Sequence, residues 1–408
     1  MDKPRIRPVE AFPVQYQNQT MVALRDPMGF APQPIVIAGG AYFLLTLFDG
    51  NHSLLDIQEA YARRFGDVLM TEKLNELIEA LDRAFFLDSP AFAVRVREVL
   101  DEFRASPDRA ASHAGLCYEN EPVKLRAELA AYFDPPNGPG RSPQGIDGHV
   151  PAGLIAPHID PRRGGIAYAH AYAELMGREP PDLFVILGTS HYGGGPQLFS
   201  ATRKNYRTPL GTIETDRDFI GRLEARYSGD LFADELLHRN EHSIEFQALF
   251  LAWALGTLGF KVVPILVSSF HEMVRDGVTP ANHESVRSFI DAMRAELAAD
   301  GRRACIISGV DFAHVGKKFG DEKGVDDGFI DWLKAEDLAL IEHIKRGDPA
   351  GFFADILKDK DRRRICGLSP MYTQLELLSG RQGRLLKYDV ALEPQTESAV
   401  SFASLALD

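Results

Sequence analysis

From Val150 to the C-terminus, short apolar runs alternate with longer stretches whose apolar residues recur at helical spacing. Residues 153–156, 183–187, 260–267 and 303–308 read as strands, because each is a short, nearly continuous apolar run. Residues 166–176, 216–227, 243–255 and 284–299 read as helices, with further helices in 328–358. This alternation predicts a layered α/β domain over residues 150–408. Two late runs, 384–388 and 399–406, are expected to add antiparallel edges.

Upstream the pattern changes. An apolar helix is predicted over 39–48, closed by Asp49-Gly50. Ser53 reads as the N-cap of a helix over 54–65, and Gly66 as its stop. A third helix starts near Thr71 and carries Leu74, Leu77, Ile78 and Leu81 on one face. Phe85-Phe86-Leu87 follows as a short strand or helix end, and a polar helix is expected over 92–104. Three helices and a small strand predict a winged-helix-like N-terminal domain over 1–110. Residues 111–149 read as a linker, since 133–143 are too rich in Pro and Gly for regular structure. No element is predicted in 1–26.

Composition narrows the class. The chain has 408 residues, enough for two domains, and 45% of them are hydrophobic, as in globular proteins. No apolar stretch approaches the roughly 20 residues of a membrane span, and the first residues lead into no secretory h-region. Three well-separated cysteines exclude a disulfide framework and fit a reducing cytoplasm. A formal charge of -13 argues against nucleic acid or an anionic membrane as the main partner.

Four segments carry the candidate chemistry: Ala156-Pro157-His158-Ile159-Asp160, Thr189-Ser190-His191-Tyr192-Gly193-Gly194-Gly195, Asn240-Glu241-His242-Ser243-Ile244-Glu245 and Ser308-Gly309-Val310-Asp311-Phe312-Ala313-His314. Three of them directly follow a predicted strand. In open α/β sheets ligands bind beyond the carboxyl ends of the strands, and neutral imidazole is the commonest side-chain metal ligand. The glycines after His191 would let backbone approach a ligand, and no Gly-Lys-Ser/Thr follows to make a Walker motif. Glu241 and Glu245 flank His242 on a first helical turn, whose dipole favours a neutral imidazole. Asp311 would act as a ligand or orient one. Cys366 reads as a small buried hydrophobe. No Gly-x-Ser-x-Gly elbow is present, which argues against an α/β-hydrolase.

Together these segments resemble the Memo family, the B component of the AmmeMemoRadiSam system, similar in fold to the class III extradiol (LigB-type) dioxygenases. The resemblance spans roughly 150–408. It includes Ile365-Cys366-Gly367-x-x-Pro370 and Val400-Ser401-Phe402-Ala403 besides the four histidine segments. Residues 30–90 resemble PqqD-like peptide-recognition domains through Leu47-Phe48-Asp49-Gly50-Asn51-His52-Ser53-Leu54 and Ala84-Phe85-Phe86-Leu87. The resemblance implies that His158 and His191 bind metal and that His242 is the acid/base beside it. The family's third ligand is commonly a cysteine in Ser-Ser-Asp-Phe-Cys-His, where this chain has Ala313. Asp311, His314 or His242 would then complete the site, and His314 is the expected third ligand. His242, Glu241 and Asp311 are the expected catalytic groups.

Three functions follow as expectations. The first is a non-haem Fe(II) oxidoreductase using dioxygen on a small aromatic or diol substrate, with copper or zinc as alternative metals. The second is a binding module, left with an empty site by Ala313, that takes a small-molecule or peptide ligand in the histidine-lined cleft and works with a radical-SAM protein. The third is a zinc hydrolase.

Overall fold

Four of the apolar runs pair side by side as parallel strands, the arrangement that buries both of their faces. The computed structural model describes residues 1–16, 19–140, 150–193 and 197–408, so Gly194, Gly195 and the stretch 141–149 lie outside the described residues. The chain divides into two units, 1–106 and 107–408.

The larger unit is built on an eight-stranded mixed sheet. Its parallel centre runs Gly153–Ala156, Ala304–Gly309, Leu183–Thr189, Lys261–Val267. The short strand Phe199–Ala201 closes one side antiparallel to Lys261–Val267. On the other side Ser398–Leu407 runs antiparallel to Gly153–Ala156 and pairs with Gly383–Glu393 and His314–Gly316. Of the two late runs expected as edges, Ser398–Leu407 is therefore an interior strand, and all ten of its residues are buried. Alternate residues of each strand serve opposite layers. Val185 and Leu187 join Phe219, Phe289, Phe353 and Leu375 on one face. Phe184 and Ile186 join Tyr168, Phe246 and Phe250 on the other.

Most helices lie where the pattern put them, including His242–Leu255 and Glu284–Asp300. The helix expected at 166–176 begins earlier, as Pro161–Tyr172, because Asp160 caps it and Pro161 suits its first position. The stretch expected as a linker holds, in its described part, the helix Pro122–Phe133. Leu125, Leu129 and Phe133 are fully buried, and Phe133 stacks on Trp253 at 4.3 Å between ring centroids. Just before it, Arg109 lies fully buried. It donates to the carbonyls of His238 (2.9 Å) and Glu241 (2.7 Å), to Ser112 Oγ (2.9 Å) and to the Glu245 carboxylate. Glu245 also accepts from Tyr118 Oη at 2.5 Å and from the His113 backbone N–H at 3.0 Å.

The smaller unit has an antiparallel sheet of Glu10–Tyr16, Gln19–Arg25 and Ile35–Ile37, which occupies part of the stretch where no element was expected. The helices Gly39–Leu45, Leu54–Phe65, Thr71–Arg83 and Pro90–Ala105 complete it. Ser53 and Asp56 form a capping box, and Gly66 ends that helix at φ 70°. Phe48, Ile57, Leu74, Leu81 and Phe86 form its core.

Removing one partner of a buried ion pair leaves an uncompensated charge, at a cost of about 3–5 kcal/mol. Arg109→Met is therefore expected to lower unfolding free energy by that order in urea denaturation. A loss below about 1 kcal/mol would refute the assignment. Burial opposes ionisation of Glu245, yet Arg109 and His113 hold its carboxyl well below the usual range. Its folded pKa is thus depressed below the unfolded value of about 4.3. The pair stabilises the fold above that pH, and its contribution is lost as pH falls through the acid range. Glu245→Gln should flatten the acid limb of the stability profile.

Candidate metal centre

Three parallel strands end level with one another. Gly309 pairs with Ala156 on one side and with Gly188 on the other. The residues that follow these ends are Pro157-His158, Thr189-Ser190-His191 and Val310-Asp311, so strand register converts three distant segments into neighbours. The fourth segment reaches the same place on a helix. A Cβ on Gly309 would lie 2.5 Å from the Ser243 carbonyl oxygen, and one on Gly188 would lie 2.5 Å from Ile244 Cγ1. Only glycine at both positions lets the first turn of His242–Leu255 rest on the strands. Ser243 Oγ then donates to the Thr189 carbonyl (2.8 Å) and Gln247 Nε2 to the Pro157 carbonyl (2.9 Å).

This packing gathers three imidazoles. His158, His191 and His242 each offer a ring nitrogen, and these atoms all lie within 4.8 Å of one another. Ring centroids are 4.8 Å apart for His158–His191, 5.2 Å for His158–His242 and 4.7 Å for His191–His242. His158 is buried, His242 half-buried and His191 exposed at the mouth.

Each ring is set by a neighbour. His158 Nδ1 lies 3.0 Å from the Gly309 carbonyl oxygen, which can only accept, so Nδ1 carries the proton and Nε2 presents a lone pair. Both Glu241 oxygens lie 3.1 Å from His191 Nδ1, which likewise leaves Nε2 free. Glu241 also accepts from the backbone N–H of His191 (3.0 Å) and of Ser243 (3.1 Å), so it both orients a ring and caps the helix. Its Oε1 is 3.2 Å from His242 Nδ1. Asp311 Oδ1 accepts from the backbone N–H groups of His158 (3.0 Å) and Ile159 (3.1 Å), which fixes the turn that carries His158.

The electrostatics keep the rings available to a cation. Burial holds His158 well below its ordinary pKa and takes His242 down to about 3. Burial also opposes protonation of His191, but the Glu241 carboxylate outweighs it and raises that pKa. Burial would raise Glu241 too, yet His191 and His242 hold its carboxyl well below the usual range. Asp311 is pushed up to about 7 by burial. Metal ligation needs neutral imidazole, and two of the three rings are already held so.

His314 is not among the three histidines whose ring nitrogens converge, though it lies near enough to act electrostatically with His158 and His191. Its Nδ1 is 3.3 Å from the Phe312 carbonyl, and its ring meets Phe319 edge-on at 5.1 Å. His242 is the third ring of the converging group. Ala313 is buried in an apolar cluster with Val315, Leu333 and Ala399. Sequence reasoning gave no site role to Cys366, whose Sγ lies 3.2 Å from His158 Nε2, nor to His113, whose ring is 5.6 Å from that of His242. The Ile-Cys-Gly pattern already singled out Cys366. Nothing around His113 in the sequence marks it.

A family model described as "Memo-like protein" matches residues 109–406. A MEMO1 family protein of Aquifex aeolicus is 30% identical over 406 residues, covering 99% of both chains. One from Thermus thermophilus is 26% identical, covering 88% of this chain and 99% of its own length. One from Methanopyrus kandleri is 29% identical, covering 69% and 91%.

Groups that orient a ligating histidine typically contribute 10–100-fold to metal affinity. Glu241→Gln is expected to weaken binding of added Zn2+ by about that factor in competition with a chelator. Gly309→Ala should also weaken it, by pushing the His242 turn away. Unchanged affinity in both variants would refute the positioning described here.

Proposed function

The chain belongs to the Memo family, and on that premise we propose that His158, His191 and His242 hold a single first-row transition metal, iron(II) by preference, in an oxygen-dependent oxidoreductase. The observation that carries this reading is the convergence of three oriented imidazoles at the carboxyl ends of the sheet. Three protein nitrogens leave coordination positions open for exogenous ligands. Iron held there would supply redox chemistry toward dioxygen.

A cleft of about 250 Å3 adjoins the group, lined by Thr189, Ser190, His191, Arg364, Cys366 and Ser369 among others. That volume suits a small molecule. Thr189 Oγ1 and Ser190 Oγ are buried and have no hydrogen-bond partner among the described residues, so they are available to a ligand's oxygen atoms. This favours a hydroxyl-bearing substrate of the aromatic or diol class. His242, kept neutral by burial, is placed to accept a proton from such a hydroxyl if it is not engaged as a ligand. The PqqD-like reading of residues 30–90 adds a peptide or a radical-SAM protein as a proposed partner of the N-terminal unit.

The test is elemental analysis of anaerobically purified protein, beside His158→Ala, His191→Ala and His242→Ala. Near-stoichiometric iron in the wild type, lost in all three variants, is the expected result, with oxygen consumption on catechol-type compounds lost in parallel. Metal retained in His242→Ala with turnover abolished would make His242 the proton acceptor alone. Zinc in place of iron would favour hydrolysis. A wild type that takes up no metal when supplied with Fe(II) would overturn the metal-centre reading and favour the partner-binding one.

A further inference from the structure

The cleft beside the three-histidine group is also lined by a buried carboxylate whose second oxygen is weakly partnered. Asp361 lines it together with Ser269 and His271, none of which the metal-centre reading uses. Asp361 is only 6% exposed. Its Oδ1 accepts from the Ile365 backbone N–H at 2.8 Å. Its Oδ2 lies 3.4 Å from His271 Nδ1, longer than a good N–H···O bond, and the His271 side chain is exposed. Burying a carboxylate is costly unless donors meet its oxygens, so Oδ2 favours a further donor.

The neighbouring cations are engaged elsewhere. Arg364, which also lines the cleft, donates to both oxygens of Asp321 (2.5 and 3.2 Å). Arg363 donates to Asp337 at 2.9 Å. The charge left short of partners at the cleft is therefore negative. Asp361 is also fixed in place. The Arg364 N–H donates to its carbonyl (2.9 Å), and Lys360 and Asp361 adopt left-handed backbone conformations, with φ of 56° and 54°. Non-glycine residues held there cost of order 1–3 kcal/mol each and cluster at functional sites. Thr189 Oγ1 and Ser190 Oγ, buried and without partners among the described residues, belong to residues lining the same space. From these observations we infer that the cleft selects a small hydroxyl-bearing molecule that also carries a protonated amine, and that Asp361 receives the ammonium group.

The inference rests on the substrate reading above and narrows it. An ammonium offers three donors and the charge that a buried carboxylate lacks, whereas an acidic ligand would meet like charge. Burial raises the Asp361 pKa to about 6; the Ile365 N–H, His271 and Arg363 oppose that rise and Asp359 adds to it. Asp361 is thus ionised and able to hold an ammonium above that pH, and loses the charge as pH falls through it.

The test is calorimetric titration, without oxygen, of the full-length protein with and without one equivalent of Zn2+. The probes are catechol, its aminoethyl derivative and its carboxymethyl derivative, both substituted para to one hydroxyl. At neutral pH the aminoethyl compound should bind wild type about tenfold or more tightly than catechol, and the carboxymethyl compound more weakly. Asp361→Asn should abolish the preference for the amine, and His271→Ala should keep it. In wild type the preference should fade as pH is lowered through about 6. Equal affinities in wild type, or a preference for the carboxymethyl compound, would overturn the inference. So would a preference that survives in Asp361→Asn or is lost in His271→Ala. Zinc-dependent binding with no preference for the amine would leave the metal centre standing while this inference falls. Failure of all three probes to bind would overturn the substrate reading and this inference together. The wild-type ranking and its pH dependence decide the question even if a variant fails to fold.

Discussion

The site depends on one close approach: the first turn of the His242–Leu255 helix rests on the ends of two strands at Gly188 and Gly309. A helix normally stands off a sheet by the length of the side chains between them. Here two missing Cβ atoms remove that spacer, so Gly309 lies against the Ser243 carbonyl and Gly188 against the Ser243 and Ile244 side chains. Ser243 and Gln247 then bond to the carbonyls of Thr189 and Pro157, the residues that lead into His191 and His158. The helix that carries one imidazole is thereby tied by two side-chain-to-backbone hydrogen bonds to the strand ends that carry the other two.

The same helical turn also sorts the buried charges. Glu241 and Glu245 are four residues apart, so they project from neighbouring points on the helix. Glu241 is directed to the histidines and Glu245 to Arg109. Arg109 spans both, since it ion-pairs with Glu245 and donates to the Glu241 carbonyl. A buried guanidinium with every donor engaged is tolerable only in a fixed geometry, so Arg109 ties residues 107–113 to the turn that carries His242. The family match beginning at residue 109 accords with this: the segment is part of the site's support.

Electrically, burial holds the His158 and His242 rings neutral, while the Glu241 carboxylate raises the pKa of His191 against its own burial. Glu241 is ionised and spent on orientation, while Asp311 is spent on two backbone N–H groups. Neither carboxylate is among the three groups that converge. A donor set of imidazoles favours borderline metals over hard ones. Thr189 and Ser190 line the adjoining cleft, and their buried hydroxyls have no hydrogen-bond partner among the described residues.

How much of this was legible in the sequence follows from the range of each interaction. Strand ends and helix starts are written locally: Pro157 after an apolar run, Glu241 before one, Ser53 and Gly66 around a helix. Those signals placed His158, His191 and His242 at the ends of elements, and a sheet with parallel central strands then brought them together. The choice between His242 and His314 was not local. That His242 joins the converging group turns on Gly309, which admits the first turn of a helix from far upstream in the chain, and no residue near His242 records that. Arg109 and His113 were illegible for the same reason, because their partners lie more than 120 residues away. Cys366 is the instructive case. Its flanks look like an ordinary turn into a helix, and its meaning comes from a carbonyl at Asp311 and an imidazole at His158. A side chain on a long return loop takes its neighbours from the order of the strands it returns to, so its surroundings are visible only after the sheet order is known.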